Sequence, residues 1–160
     1  MIIRTATLSD LDAIARVEAA CFPQAEAATR EQFARRLEHF PSHFWLMFHG
    51  EKLIAFVDGL VTDEDTLTDN MYAHPEHHNE RGKWQMIFGV NTLPEYRRKG
   101  YASELMRRAI QDSREQGRLG LVLTCKSEMV HWYARLGFVS EGVSESIHGG
   151  AMWYQMRLRF

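Results

Sequence analysis

The chain has 160 residues, of which 45% are hydrophobic and 25% charged, with 19 Lys+Arg against 21 Asp+Glu for a formal net charge of −2. That length makes one ordinary domain with room for a full core, and the composition excludes disordered, collagen-like and disulfide-scaffold classes. The near-balanced charge excludes a whole-protein attraction to nucleic acid or to an anionic membrane, so any anion site must be a local cluster.

Taken in chain order, a short strand is predicted over Ile2–Thr5. Ser9 reads as an N-cap with Asp10 and Asp12 in the first turn, and Leu11, Ile14 and Ala15 share one face of a helix running to Ala20. Thr29 with Gln32 has capping-box spacing, Phe33 and Leu37 stack at i, i+4 behind it, and Pro41 follows the end. Strands over 44–48 and 53–61 flank the hairpin turn His49-Gly50-Glu51-Lys52, and the second is apolar on both faces. Residues 63–81 are polar and irregular. A strand follows over 86–93, and after a basic turn Ala102, Leu105, Met106, Ala109 and Ile110 recur at the helix period until Gly117. Residues 119–125 form a short apolar strand. Ser127 caps a helix carrying Val130, Tyr133 and Leu136, and strands over 138–143 and 151–158 close the chain. This order describes a single α/β domain over 1–160 with a mixed sheet.

Two cysteines, Cys21 and Cys125, sit among apolar residues and read as buried reduced thiols. No apolar run reaches the roughly 18 residues of a membrane helix, and Met1-Ile2-Ile3-Arg4-Thr5 lacks the apolar core of a signal peptide. These features point to the cytoplasm.

The segment Pro94-Glu95-Tyr96-Arg97-Arg98-Lys99-Gly100-Tyr101-Ala102 leaves a strand and opens an amphipathic helix. The first N–H groups of a helix have no partner inside it and stand at the positive end of its dipole, where phosphate binds readily. Gly100 removes a side chain where backbone must approach a ligand, and three consecutive cations add charge. Neither a P-loop nor a G-x-G-x-x-G fingerprint is present. From charge alone, a solvated basic turn explains the segment as well.

The turn, as Arg97-x-x-Gly100-x-Ala102, resembles the Arg/Gln-x-x-Gly-x-Gly/Ala signature of the GNAT family of N-acetyltransferases. Val90-Asn91-Thr92-Leu93-Pro94-Glu95-Tyr96-Arg97 resembles that family's strand exit. Trp132-Tyr133-Ala134-Arg135-Leu136-Gly137-Phe138 resembles its F/L-Y-x-x-x-G-F element, and the opening Ala6-Thr7-Leu8-Ser9-Asp10-Leu11 is also similar. The resemblance implies the acyl-CoA N-acyltransferase fold, a mostly antiparallel splayed sheet flanked by helices. It implies acetyl-CoA bound in the splay between the strands at 86–93 and 119–125. Backbone groups of Val90 and Thr92, flanking Asn91, would then hold the pantetheine arm. The N–H groups of Arg97, Arg98, Lys99, Gly100, Tyr101 and Ala102, with Ser103 beside them, would take the pyrophosphate. Lys126 stands where the family commonly has an Asn that contacts the cofactor. A backbone N–H on the splayed strand would meet the developing oxyanion, and Tyr133 would serve the departing thiolate as general acid.

The chain is loosely similar to the arylalkylamine N-acetyltransferase branch, most closely from 121 to 138. The paired histidines of that branch correspond here to Met86 and Phe88, which accept no proton, so deprotonation would run through water or another side chain. Among further candidates, His74, His77 and His78 match no zinc spacing and read as solvated loop residues. Glu26 and Glu31 lie near the acceptor wall of the family, Trp84 could stack an acceptor, and His148 could reach its pocket. Each also has a plain reading as a helix end, a core aromatic or a turn residue. Six acids over 63–80 would suit a cationic acceptor. The expected function is acetyl-CoA-dependent acetylation of a small-molecule primary amine, with no metal and no nucleic-acid partner. The alternative is a non-catalytic CoA-binding sensor or interaction module, and a homodimer is left open.

Overall fold

The computed structural model describes residues 1–160. In chain order its strands are β1 (Ile2–Thr5), β2 (Phe44–His49), β3 (Lys52–Asp58), β4 (Val61–Thr62), β5 (Trp84–Ile87), β6 (Gly89–Thr92), β7 (Gly120–Cys125), β8 (Val139–Val143) and β9 (Tyr154–Arg159). Its helices are α1 (Leu11–Cys21), α2 (Arg30–His39), α3 (Asp69–Ala73), α4 (Tyr101–Glu115) and α5 (Val130–Ala134). The chain divides into two compact units, 1–59 with 89–109 and 60–88 with 110–160, and α4 passes from one to the other.

The first unit holds an antiparallel sheet in the order β1-β2-β3-β6. The helix period places Ile14 and Val17 of α1, and Phe33 and Leu37 of α2, in its core. Phe33 meets Phe44 and Phe56 edge-on at centroid distances of 6.2 and 5.7 Å, geometry that aromatic quadrupoles favour. The capping box at α2 forms as expected. Gln32 N–H donates to Thr29 Oγ1 at 3.2 Å, and Thr29 N–H donates to Gln32 Oε1 at 2.8 Å. At α1 the expectation of a Ser9 cap is corrected. A 3₁₀ turn at Leu8–Asp10 precedes the helix, and buried Asp10 accepts from Thr7 N–H at 2.8 Å. Thr7 is the cap of that turn, Arg4 pairs with the Asp10 carboxylate, and Ser9 is exposed.

The second unit holds a sheet in the order β4-β5-β7-β9-β8. Its β5–β7 pairing is parallel and the rest are antiparallel, so the mixed, mostly antiparallel class expected from the sequence holds. Two predicted strands break in two. The 53–61 run ends at Asp58 and resumes as β4, and the 86–93 run divides at Phe88 into β5 and β6. The breaks fall at Asp58-Gly59 and at Phe88-Gly89, where a glycine interrupts each apolar run. The 63–81 stretch is not irregular throughout, because α3 and a 3₁₀ turn at Pro75–His77 organise its centre. Ser127 does not cap a helix there. Lys126 occupies the cap position of a 3₁₀ turn that leads into α5. No helix of the chain is long and apolar enough to cross a membrane.

Candidate functional site

In the first unit, β6 is an edge strand, paired with β3 alone in the register Ala55↔Thr92 to Asp58↔Gly89. An edge strand offers backbone donors and acceptors to an extended ligand. Val90 is half-buried here, and Asn91 and Thr92 are buried. Asn91 donates from Nδ2 to Phe56 O at 3.3 Å, while Asn91 Oδ1 and Thr92 Oγ1 are buried without a hydrogen-bond partner. Such orphaned atoms cost free energy unless a further group meets them.

Beyond β6, a 3₁₀ turn at Pro94–Tyr96 leads into the basic segment. Arg98 has φ 62° and Gly100 φ 84°, so two residues within three are left-handed. Left-handed residues within such a turn recur in the backbone concavities that hold anions. The helix proper begins with Glu104 N–H donating to Gly100 O at 3.1 Å. A Cβ built at Gly100 would meet no atom within 4 Å, so the approach to this backbone is open. Arg98, Lys99 and Gly100 are exposed, and Tyr101, Ala102 and Ser103 are half-buried on the first turn of α4. Arg97 is turned back instead: its Nε donates to Thr92 O at 2.9 Å, and Cys21 Sγ donates to the same carbonyl at 3.3 Å. Arg97 therefore shapes the turn, and the backbone with the Arg98 and Lys99 side chains supplies the positive potential. This donor set fits a diphosphate.

A buried acidic group in the same unit escaped the sequence. Arg36 Nη1 pairs with Asp58 Oδ2 at 3.1 Å, both side chains buried, and burial pushes Asp58 up to about 6 against the pull of Arg36. Glu18 on α1 accepts Ala28 N–H at 2.9 Å and so fastens the link between α1 and α2. Burial, with Asp58 nearby, pushes Glu18 up to about 7 from an ordinary 4.5. The folded state thus holds this proton more tightly than the unfolded chain. Its contribution to stability is fully present below about pH 4.5 and is lost as pH rises toward 7. Glu18→Gln should flatten the stability profile across that window by about 3 kcal/mol, from 1.36 kcal/mol per unit. Denaturant melts of the two proteins at pH 4.5, 5.5 and 7 check this, and parallel profiles would refute it. Glu26, the acid chosen from sequence, is half-buried on the same link.

In the second unit, β7 continues past its last β5 pair, Ile87↔Leu123, so Thr124 and Cys125 pair only with β9. Several side chains gather at that end. Tyr133, on α5, is 7% exposed, and its phenol is held strongly protonated by burial, with Cys125 and Tyr72 adding to the effect. Cys125 is itself pushed up to about 11 by burial. Tyr72, on α3, has its hydroxyl 3.5 Å from Thr124 Oγ1 and its ring 4.5 Å from Phe88. His148 stacks on Tyr72 at 5.3 Å and 11°. Trp153 donates from Nε1 to His148 O at 2.8 Å, and Lys126 Nζ lies 5.7 Å over the Trp153 ring. The predicted Tyr133, Lys126 and His148 thus meet in one cluster. Tyr72 and Thr124 complete it, and no motif marked either one.

The other expectations are corrected. Trp84 is 4% exposed, with the Arg157 and Arg159 guanidiniums 4.6 and 5.1 Å over its ring, so it has no free face for an acceptor. His78 is not a solvated loop residue. Its buried ring accepts Val61 N–H at Nδ1, so Nε2 carries the proton donated to Glu80 at 2.9 Å. Three of the six acids are engaged, since Asp69 binds Ser146 and Ile147, Glu76 pairs with His74, and Glu80 pairs with His78 and Arg118, while Asp63, Glu64 and Asp65 are exposed. A cavity of about 570 Å³ opens at the opposite end of β7, between Glu80–Lys83 and Gln116–Leu119. It is remote from Thr124 and takes no part in this cluster.

The model of the acetyltransferase (GNAT) family matches residues 11–138. No curated protein matches the sequence. Among solved structures, the loading GNATL domain of CurA from Lyngbya majuscula superposes with a TM-score of 0.85 at 16% identity, over 99% of this chain and 96% of that one. The GphF GNAT-like decarboxylase in complex with isobutyryl-CoA also gives 0.85, at 18% identity over 99% of both chains. The PaiA N-acetyltransferase from Thermoplasma acidophilum, in complex with coenzyme A, gives 0.73 at 16% identity over 99% of this chain and 98% of that one. At these identities the likeness is one of fold.

Proposed function

The chain belongs to the acetyltransferase (GNAT) family, and from that premise we propose that it transfers the acetyl group of acetyl-CoA to the primary amine of a small molecule. The observation that carries this reading is the left-handed Arg98/Gly100 turn opening α4 directly after an edge strand. Residues 1–160 are taken as one transferase domain, because the family match runs through both units. The near-balanced charge and two free thiols support a cytoplasmic enzyme that does not engage nucleic acid.

Acetyl-CoA supplies an activated acyl carbon. The residues of this chain bind and polarise it. The Arg97–Ser103 backbone, with Arg98 and Lys99, takes the pyrophosphate, and β6 takes the pantetheine amides through Val90 and Thr92, beside Asn91. A backbone N–H of β6 donates to the carbonyl oxygen as charge develops there. Tyr133 serves the departing sulfur. Its phenol is a weaker acid than a thiol, whose ordinary value is about 8.5, so outright proton transfer is uphill. Tyr133 therefore acts by donating a hydrogen bond to the thiolate, and the amine's proton balances the products.

Free CoA release from acetyl-CoA across a panel of primary amines tests the reading. Amine-dependent release supports it, and acetyl-CoA binding without release on any amine would point to the sensor alternative. The GphF structure, named a GNAT-like decarboxylase, suggests a second reading, loss of CO₂ from an acyl-CoA that carries a carboxylate β to the thioester. CO₂ release from such a thioester without any amine would select it.

A further inference from the structure

The short helix α3 and the loop between β8 and β9 are separated by more than seventy residues, yet one carboxylate joins them. Asp69 Oδ1 accepts the Ser146 hydroxyl, and Asp69 Oδ2 accepts Ile147 N–H at 3.0 Å. Ser146 Oγ also accepts His148 N–H at 3.3 Å. The next residues are conformationally loose in principle, since Gly149 and Gly150 have φ of 63° and 71° and Ile147 is 78% exposed. The turn is nonetheless held at two points: the Asp69 clasp before His148, and the Trp153 bond to the His148 carbonyl after it. Between these points the imidazole lies nearly parallel on Tyr72, whose hydroxyl is within reach of Thr124.

We propose that Asp69 is a positioning residue, whose carboxylate clasps the Ser146–His148 turn and so holds the His148 imidazole over Tyr72 to take the proton of the acceptor amine. The proposal rests on the transferase reading. It names the base that the motif left open. Among the side chains of this cluster, Tyr133 and Cys125 keep their protons because burial disfavours their anions. Imidazole is the side chain suited to accept a proton near neutrality. In the balanced step, the amine lone pair forms the N–C bond and the C–S bond breaks under the Tyr133 hydrogen bond. The amine proton passes to His148 and from there to solvent, while the thiolate takes one back.

A double-mutant cycle of Asp69→Ala and His148→Ala, with Asp69→Asn as the conservative variant, tests this through two readouts. The first is kinetic. Asp69→Ala should lower kcat/KM for the amine at least tenfold while the acetyl-CoA affinity stays within twofold. Asp69→Asn, which keeps an oxygen for Ile147 N–H, should recover part of the loss. The double variant should be no worse than His148→Ala alone, as expected when one residue acts through the other. The second needs no turnover. Stacking on Tyr72 should shift the His148 ring protons upfield in the NMR spectrum, with assignment by their loss in His148→Ala. That shift should collapse in Asp69→Ala and persist in Asp69→Asn. A His148 shift unchanged in Asp69→Ala, or losses that simply add, would overturn the proposal. Collapse of the shift in Asp69→Ala, beside a wild-type protein that turns over no amine, would leave the clasp standing and remove the transferase reading.

Discussion

Tyr133→Phe is expected to lower kcat for acetyl transfer by a factor on the order of 10²–10³, the loss seen when one preorganised donor to a developing anion is removed. The variant deletes one oxygen and keeps the ring. The ring's packing should therefore survive, with Trp132 at 4.8 Å and Phe138 at 5.9 Å, both edge-on. Acetyl-CoA affinity should barely change, because the pyrophosphate and pantetheine contacts proposed above belong to β6 and the Arg97–Ser103 turn. The buried phenol holds its proton tightly, with Cys125 and Tyr72 beside it. Ionisation of Tyr133 should thus leave no alkaline limb in the wild-type rate profile below pH 10. Steady-state kinetics over pH 6 to 10 check both points. Unchanged kcat in the variant would remove Tyr133 from the mechanism.

Gly120→Ala should cost about 3 kcal/mol or more, because its added Cβ meets rigid backbone. An ideal Cβ at Gly120 lies 2.0 Å from Leu158 O and 3.0 Å from the Trp84 ring. Neither can yield easily: β9 is hydrogen-bonded to both β7 and β8, and the Trp84 ring is buried under Arg157 and Arg159. Relief would require β7 and β9 to part at the centre of their sheet. For a chain of this size the expected fall in Tm is roughly 10 °C. Gly117→Ala is the control, since the same glycine type there has φ 80° and nothing within 4 Å of the added Cβ. It should cost only about 1 kcal/mol, from the left-handed backbone alone. Equal melting of the two variants would refute the clash.

How much was legible in advance follows from the range of each interaction. The shape of the basic turn was legible because it is local. Gly100, the cations and the helix start lie within a few residues, and their consequence is a backbone shape. The side-chain role of Arg97 was not, because its bond to Thr92 O returns to the strand that precedes it. Helix faces such as Phe33 and Leu37 followed from period alone. The breaks at Asp58-Gly59 and Phe88-Gly89 were marked only by a glycine each, a signal that the apolar residues on either side outweighed. In the Tyr133 cluster, Tyr72 meets Thr124 and His148 across 52 and 76 residues, and Asp69 meets Ser146 across 77. Periodicity carries no information on such pairs. Trp84 shows the converse error: its position beside a polar loop suggested stacking, and two arginines from β9 cover it instead.

The most direct test of the account is calorimetric titration of the purified protein with acetyl-CoA, beside Gly100→Glu. That substitution puts a side chain and a negative charge at φ 84°, within the backbone cradle assigned to the pyrophosphate. The account predicts one saturable site in the wild-type protein and none detectable in the variant, with both proteins folded by circular dichroism. A wild-type protein that binds no acetyl-CoA, or a Gly100→Glu variant that binds it equally well, would contradict it.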